Sequence, residues 1–454
     1  MEAMTIGQAL SAVNGELIAG EPDAVITGVS TDSRTVKPGD LFFALEGEKF
    51  DGHNFVRAAF DAGAAGVVVS KATEARPTTI LVGDTLTALG DLARYYASLF
   101  DARTVGVTGS VGKTTTKEMI AEILSRRFNT LKNEMNFNNE IGVPLTLFAL
   151  TREHEAVVVE MAMRLQGEIR RLAYIAQPDT GVITNIGMSH IERLGSPDAI
   201  AEAKAELIES LPVDGLAVLP SDDRYFDFLR GRCSCRVVSF GLSENADVRA
   251  RNLELDCEGG AGFDMFLRDQ EPFRVKLNVV GEHNVLNALA AAVVGWHYGV
   301  PPDDIRLALE AFESPENRAR ILHSSRGYVV LDDTYNASPT SMSSALSTLS
   351  KMAGTRKIAV LGDMLELGSY ALEAHREIGH QAAKLGLTLL VTVGELARSI
   401  AEGAREAGMS AVETVETCDE AAEMLKPVVQ SGDLILIKGS RAIRLEKTVD
   451  RLIS

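Results

Sequence analysis

Short β-branched runs alternate with amphipathic helical stretches along nearly all of the 454 residues, and this alternation restricts the chain to layered α/β folds. At ~150 residues per domain the length suggests about three domains. Three series of units divide it accordingly. In residues 1–100 the units are small: runs at 25–30, 41–45, 67–70 and 80–82, a helix near 54–62, and a closing helix at 86–100. In residues 101–315 the strands at 104–108, 156–159 and 181–184 are longer and uniformly apolar, as in a parallel sheet covered on both faces. Pro301-Pro302-Asp303 and Glu313-Ser314-Pro315 supply breakers at the next boundary. In residues 316–454 the runs 328–331, 357–361, 389–393 and 434–437 are each followed by a helical segment, which reads as a second doubly wound unit. No solenoid repeat or low-complexity tract interrupts the pattern.

Composition narrows the partners. Hydrophobic residues at 46% and charged residues at 24% fit a packed globular chain. The formal charge of −18, from 45 Lys+Arg against 63 Asp+Glu, argues against nucleic acid or an anionic membrane as partner. Phosphates remain within reach of local loops and a metal ion. Cys233, Cys235, Cys257 and Cys418 are too scattered for a disulfide scaffold, and Cys233-Ser-Cys235 lacks a second pair, so it reads as structural. The start has no basic region followed by an apolar run, and the apolar stretch around 288–296 is far short of a bilayer span. A soluble, cytoplasmic protein is expected, with no membrane insertion.

The most specific local signal opens the second series. Residues 104–108 run into Gly109-Ser110-Val111-Gly112-Lys113-Thr114-Thr115-Thr116, followed by a helix through about residue 127. Glycines let the backbone curl so that successive N–H groups face phosphate oxygens. Lys113 adds a charge for the terminal phosphates and Thr114 a hydroxyl for magnesium. The strict phosphate-loop pattern has glycine at position 107, where this chain has Val107. The bland alternative is a Gly-rich strand-to-helix turn; the strand before and helix after favour nucleotide binding.

Three further positions carry charge or ligand chemistry. Glu160 ends the run 156–159 at the carboxyl end of a strand, where it is placed to hold magnesium or is simply solvated. His190 follows the strand 181–184 and reads equally as a ligand or as structural. Lys204 lies in the apolar stripe of Ile200, Leu207, Ile208 and Leu211, on a helix begun by Ser196-Pro197-Asp198. A buried ammonium tends to lose its proton, and the neutral amine adds carbon dioxide to give a carbamate, an anionic ligand for a second metal ion. The alternative is that Lys204 snorkels from a helix edge.

Together, Thr108-Gly109-Ser110-Val111-Gly112-Lys113-Thr114, Glu160, His190 and Ala203-Lys204-Ala205-Glu206 resemble the central domain of the Mur ligases, cytoplasmic ATP-dependent amide-forming ligases of peptidoglycan precursor synthesis. The resemblance covers essentially the whole chain. Asp332-Asp333-Thr334-Tyr335-Asn336-Ala337-Ser338-Pro339, Gly362-Asp363-Met364-Leu365-Glu366-Leu367-Gly368 and Lys438-Gly439-Ser440-Arg441 are similar to stretches of the member that adds D-alanyl-D-alanine.

The resemblance implies an α/β protein of three domains: residues 1–100 for the UDP-sugar, 101–315 as a parallel-sheet, phosphate-loop ATPase-like domain, and 316–454 as a Rossmann-like domain for the incoming amine. It implies that residues 108–115, Thr115 included, bind ATP with Lys113 on the phosphates. Thr114 and Glu160 would hold one Mg2+, and His190 with carbamoylated Lys204 a second. Asn284 and Asn287, which share a helix face, would contact adenine, although Asn284 alone also suits a helix cap. Arg318 matches the arginine reaching the nucleotide, with Asn317 where the family has glycine. Ser30, Thr31, Asp32, Ser33 and Arg34, with Gly47, Asp51 and His53 of the stretch 47–53, would cradle the uridine diphosphate; without the family they read as polar turns. Asn136, Asn138 and Asn139 resemble a substrate loop whose amides accept and donate without adding charge. Arg164 would pair with a substrate carboxylate, and Asp333, Tyr335 and Asn336 would serve the dipeptide and the hinge.

The implied substrates are UDP-N-acetylmuramoyl-tripeptide and D-alanyl-D-alanine, joined through an acyl phosphate, and a monomer is expected. Three rivals are weighed. A ligase adding a diamino acid carries an Asp-Asn-Pro-Arg run, and no Asp-Asn-Pro occurs here. A folate polyglutamate ligase lacks a first domain like residues 1–100. A phosphate-loop regulatory ATPase would hydrolyse ATP without either small substrate.

Overall fold

The structure is a computed structural model that describes residues 1–47, 50–71, 78–134, 136–256 and 259–453. Glu48, Lys49, Met135 and Cys257, part of the stretches singled out above, lie outside the described residues. Three large sheets follow one another along the chain, as the alternation of runs requires. The first has five strands in the order Glu16–Ala19, Thr79–Leu81, Gly66–Val69, Asp40–Phe43 and Gly28–Ser30, the last four mutually parallel. The run 25–30, expected as one strand, divides. Val25–Ile26 pairs antiparallel with Met4–Thr5, while Gly28–Ser30 joins the five-stranded sheet. Between them the Thr27 N–H turns to the Gly39 carbonyl at 2.9 Å.

The central sheet has nine strands. Arg103–Thr108 lies between Ala156–Glu160 and Thr180–Ile183, parallel to both, so its carboxyl end is a switch point of the kind where α/β sheets bind ligands. The sheet continues through Leu216–Pro220 and Arg236–Gly241 to Val248–Leu255, still parallel. The expected all-parallel sheet ends there, because Val248–Leu255, Gly260–Phe266 and Phe273–Val280 form an antiparallel meander. Its cause is visible in Phe273–Val280, where buried and exposed residues largely alternate, the pattern of a sheet with one wet face.

The third sheet has six strands in the order Arg320–His323, Val329–Asp333, Asp433–Lys438, Arg356–Gly362, Leu389–Val393 and Val412–Val415. All but the first pair in parallel. Asp333 registers with Lys438, and Lys438 with Leu361, so the stretches beginning at 333, 362 and 438 converge at one carboxyl edge. Among the described residues no helix is long and apolar enough to cross a membrane.

Candidate active site

The helix Lys113–Leu124 begins directly after Gly112, and no side chain caps its first turn. Its leading amides therefore stay free for an anion, at the positive end of the helix dipole. The two loop glycines are required by space as well as by dihedral. Gly112 has φ +86, and a Cβ there would lie 2.4 Å from Asn287 Oδ1; Gly109 has φ +150, and a Cβ would lie 1.9 Å from Thr184 Oγ1. The loop is held from behind. Asn185 Oδ1 accepts the Val111 N–H at 3.0 Å, the Asn185 carbonyl accepts the Ser110 N–H at 3.0 Å, and Thr184 Oγ1 donates to the Val111 carbonyl at 2.6 Å. Ser110 and Val111 thus commit their amides to Asn185, leaving Gly112, Lys113, Thr114 and Thr115 to face a ligand. The Thr108 hydroxyl is also committed, donating to the Met161 carbonyl at 2.9 Å.

Around this loop the polar groups converge. Thr114 Oγ1 donates to Glu160 Oε2 at 2.7 Å, and Asn138 Nδ2 donates to Glu160 Oε1 at 2.9 Å. Lys113 Nζ donates to the Gly109 carbonyl at 3.0 Å. Burial pushes the Lys113 ammonium below its ordinary pKa, against the pull of Glu160, and Arg318 adds to the depression. Ser196 caps the helix Pro197–Glu209 by accepting the Ala199 N–H at 3.1 Å, with Pro197 in the first turn, as the sequence indicates. On that helix Lys204 is 2% exposed, which settles the choice between buried and snorkelling. Burial, then Lys113, lowers its pKa well below the ordinary lysine value. Among the described residues no hydrogen bond or ion pair holds its amine. Burial also lowers His190, with further depression from Lys113 and Lys204 and an opposing pull from Glu366. The Glu366 carboxylate lies 2.7 Å from His190 Nδ1 and pulls the ring's pKa up, and among the described residues no other group hydrogen-bonds this buried nitrogen.

The divalent cations that the resemblance implies fit these residues. Among the described residues Glu160 is bound only by the neutral donors Thr114 and Asn138, its oxygens keep free lone pairs, and the Thr114 hydroxyl stands beside one of them. Carboxylate, hydroxyl and imidazole suit a hard or borderline divalent ion, and His190, whose ring feels both Lys113 and Lys204, offers the nitrogen that Glu366 does not approach.

Behind the loop, Asn284 and Asn287 are buried on one face of the helix His283–His297. Asn284 Nδ2 donates to the Val280 carbonyl at 2.8 Å, Asn287 Nδ2 to Asn284 Oδ1 at 2.9 Å, and Thr116 Oγ1 to Asn287 Oδ1 at 3.2 Å. A cleft of about 180 Å³ opens here, lined by the loop, His283, Leu286, Asn287, Pro220, Asp222 and Phe240. Arg318 stacks on Tyr335, 3.9 Å from the ring centroid, and the Tyr335 hydroxyl hydrogen-bonds Asn136 Oδ1. Asn317 takes the left-handed conformation (φ 60) usual for glycine, one that asparagine tolerates. Lys438, fully buried, donates to Asp333 Oδ2 at 2.6 Å and to the Asn336 carbonyl at 2.9 Å.

Other expected positions lie apart from this convergence or are engaged in local structure. Asn139 Oδ1 accepts the Ile141 and Gly142 amides at 3.1 and 2.8 Å, so it caps a helix. Arg164 is exposed. In the first unit Ser30 Oγ donates to the Asp32 carbonyl at 3.0 Å beside half-buried Thr31 and Ser33. Arg34 forks onto Asp32, holding that carboxyl down at about 2. His53 lies 2.6 Å from Asp51, its Nε2 accepts the Ser70 N–H at 3.0 Å, and Lys71 bridges Glu46 and Asp51. Gly47 is exposed at the edge of the same hairpin. Asn185, Thr184, Glu366 and Lys438 were not singled out as site residues in the sequence. The signal for Asn185 was a polar residue just after an apolar strand; the others act through pairings that sequence distance conceals. Burial pushes the Cys233 thiol up to about 12, consistent with a structural Cys233-Ser-Cys235.

Three family models match the chain in succession: the Mur ligase family catalytic domain over 25–97, the Mur ligase middle domain over 107–295, and the Mur ligase glutamate ligase domain over 317–441. The chain belongs to the Mur ligase family. It is 39% identical to UDP-N-acetylmuramoyl-tripeptide--D-alanyl-D-alanine ligase of Bacillus subtilis (strain 168), over 94% of this chain and 93% of that one. To the enzyme of the same name from Escherichia coli (strain K12) it is 34% identical, over 100% and 99%. Among Mur ligases of known structure, a crystal form of MurF from Acinetobacter baumannii superposes with a TM-score of 0.94 at 35% identity, covering 100% of this chain and 99% of that one. MurF ligase from Thermotoga maritima in complex with ADP superposes with 0.85 at 30% identity, covering 93% and 96%.

Proposed function

We propose that the chain joins D-alanyl-D-alanine to UDP-N-acetylmuramoyl-tripeptide, with ATP cleaved to ADP and phosphate. The observation that carries this reading is the free-amide turn Gly112–Thr115 facing Lys113, Glu160, His190 and Lys204 at a sheet switch point, in a chain similar along its length to ligases of that name. Residues 1–100 would bind the UDP-sugar, 101–315 ATP, and 316–454 the dipeptide. The cleft beside Asn287 supports a nucleotide base there, because its phosphates would then reach the helix start.

The terminal carboxylate of the tripeptide attacks the γ-phosphate of ATP; a P–O bond to that carboxylate forms as the bond to ADP breaks. The dipeptide's amine then attacks the acyl carbon, a proton leaves the nitrogen, and phosphate departs from the tetrahedral intermediate. Divalent cations, when bound, neutralise charge on the phosphates and the carboxylate. The chain's own groups orient and polarise. Lys113 and the leading helix amides lie where charge accumulates on the transferred phosphoryl group. Thr114, Glu160, His190 and the Lys204 amine, as its carbamate, form the anionic and neutral wall opposite. Docking of the third unit against the second would exclude water that otherwise hydrolyses the acyl phosphate. The cytoplasm, where nucleotide substrates of this class reside, is the proposed location.

The test is steady-state release of ADP by the purified chain. Release that requires both the nucleotide-tripeptide and the dipeptide supports the reading. Equal release without either substrate would make the protein a simple ATPase.

A further inference from the structure

The stretch Gly362-Asp363-Met364-Leu365-Glu366-Leu367-Gly368 follows a strand of the third sheet, yet its tip belongs to the second unit's site. Three observations meet there. The Glu366 carboxylate approaches His190 Nδ1 to 2.7 Å. That nitrogen is buried, and among the described residues no other group hydrogen-bonds it. The Glu366 backbone takes the left-handed conformation (φ 63) at a non-glycine residue, a strain that persists only where surroundings enforce it.

The surroundings do enforce it. Met364 N–H is held by His375 Nε2 at 2.9 Å, Leu365 N–H by Ser440 Oγ at 2.9 Å, and the Asp363 carbonyl by Ser440 N–H at 2.9 Å. The outer side is docked as well. The Glu366 carbonyl accepts the Glu192 N–H at 3.3 Å, the Tyr370 hydroxyl reaches the Gly195 carbonyl at 3.5 Å, and Gly368 packs on Glu192, whose Cγ would lie 3.0 Å from an added Cβ. A rigid loop thus delivers a carboxylate from one unit to a histidine of another.

We infer that Glu366 is a positioning residue, supplied by the third unit, that orients His190 for its divalent cation and makes that cation site complete only when the third unit is docked. This rests on the proposed two-cation ligase. A carboxylate on one imidazole nitrogen fixes the ring and raises the basicity of the other, and losing such a partner typically weakens metal affinity by about 10–100-fold. Docking would then be coupled to loading of the site, so ATP is not committed in an open enzyme.

The test titrates Mn2+ into the full chain with saturating ADP, followed by electron paramagnetic resonance, for wild type, Glu366→Gln and Glu373→Gln. Glu373 is an exposed carboxylate on the helix Ala371–Lys384, and its removal controls for net charge. The expected result is two bound Mn2+ in wild type and in Glu373→Gln. In Glu366→Gln the second should bind about 10–100-fold more weakly, with ADP affinity and thermal melt unchanged. Kinetically, the Mg2+ concentration for half-maximal activity should rise while KM for the nucleotide-tripeptide holds. Equal second-site affinity in wild type and Glu366→Gln, or equal weakening in Glu373→Gln, overturns the role of Glu366 and leaves the ligase reading standing. A wild type that binds a single Mn2+ overturns the two-cation site itself.

Discussion

Burial and the neighbouring Lys113 charge both act against the Lys204 ammonium, and among the described residues no acid pairs with it. Keeping a full ammonium there is costly, so the site favours the neutral amine, and in the proposed mechanism a carbamate would turn a repulsive position into a ligand. Lys204→Ala should lower kcat by on the order of 10²–10³-fold, the scale of losing one preorganised electrostatic contact. A small carboxylate in the buffer should restore part of it. Full activity in the alanine variant would refute the ligand role. Gly112→Ala combines a left-handed backbone with a contact 2.4 Å from Asn287 Oδ1. Strain of about 1–3 kcal/mol predicts ADP binding weaker by tenfold or more in a calorimetric titration. The loop glycines, Lys113 and Thr114 were legible in the sequence because their chemistry depends on neighbours a few residues away, and Glu160 was legible from its place at the end of an apolar strand, although its partners Thr114 and Asn138 are 46 and 22 residues distant. Asn185, Glu366 and Lys438 were not, since each draws its meaning from a partner brought close only by folding.

At the level of elements, the apolar runs match seven parallel strands of the second and third sheets to within about two residues, whereas Thr130–Lys132, Leu216–Pro220, Arg236–Gly241 and Val412–Val415 were not marked. The meander at 248–280 escaped because its alternation serves an exposed face rather than a doubly covered one. The run 25–30 escaped differently: the switch between two sheets is made at Thr27 by a hydrogen bond to Gly39, a tertiary event. His375 on the helix Ala371–Lys384 shows how an element fixes a functional loop. Its Nδ1–H donates to the Ala371 carbonyl at 2.6 Å, and its Nε2 accepts from Met364, so the ring must be neutral. Burial lowers its pKa below 6.5, outweighing the Ala371 carbonyl and Asp363, which pull it up. A group depressed in the fold contributes stability above its unfolded pKa and loses it as pH falls. The loop 363–370 should therefore loosen as pH drops below about 6.5. Hydrogen exchange at Met364, compared at pH 7.5 and 5.5 after correction for intrinsic rates, should show less protection at the lower pH. Unchanged protection would mean the ring is not the element's pH-sensitive support.

Across the whole molecule, the third unit meets the second through Tyr335 and Asn136, and through Glu366 and His190. Arg318 lies on the Tyr335 ring while its charge is felt by Lys113. The hinge stretch therefore links the docked arrangement to the phosphate site. Removing the hydroxyl in Tyr335→Phe deletes one hydrogen bond worth about 0.5–1.5 kcal/mol. The expected cost is a rise of about 2–10-fold in KM for one of the two acceptor substrates, with ADP affinity unchanged; a changed ADP affinity with normal KM values would place Tyr335 on the nucleotide instead. That such a chain folds into three successive α/β units was readable from periodicity together with chain length and the breakers at 301–315. That the units meet at one phosphate turn could be expected only through resemblance to a family. The central claim is that a carboxylate is phosphorylated and then captured by an amine. It is tested most directly by labelling the tripeptide's terminal carboxylate with oxygen-18 and following a single turnover by mass spectrometry. The account predicts one labelled oxygen in the phosphate released with the amide; phosphate free of label would contradict it.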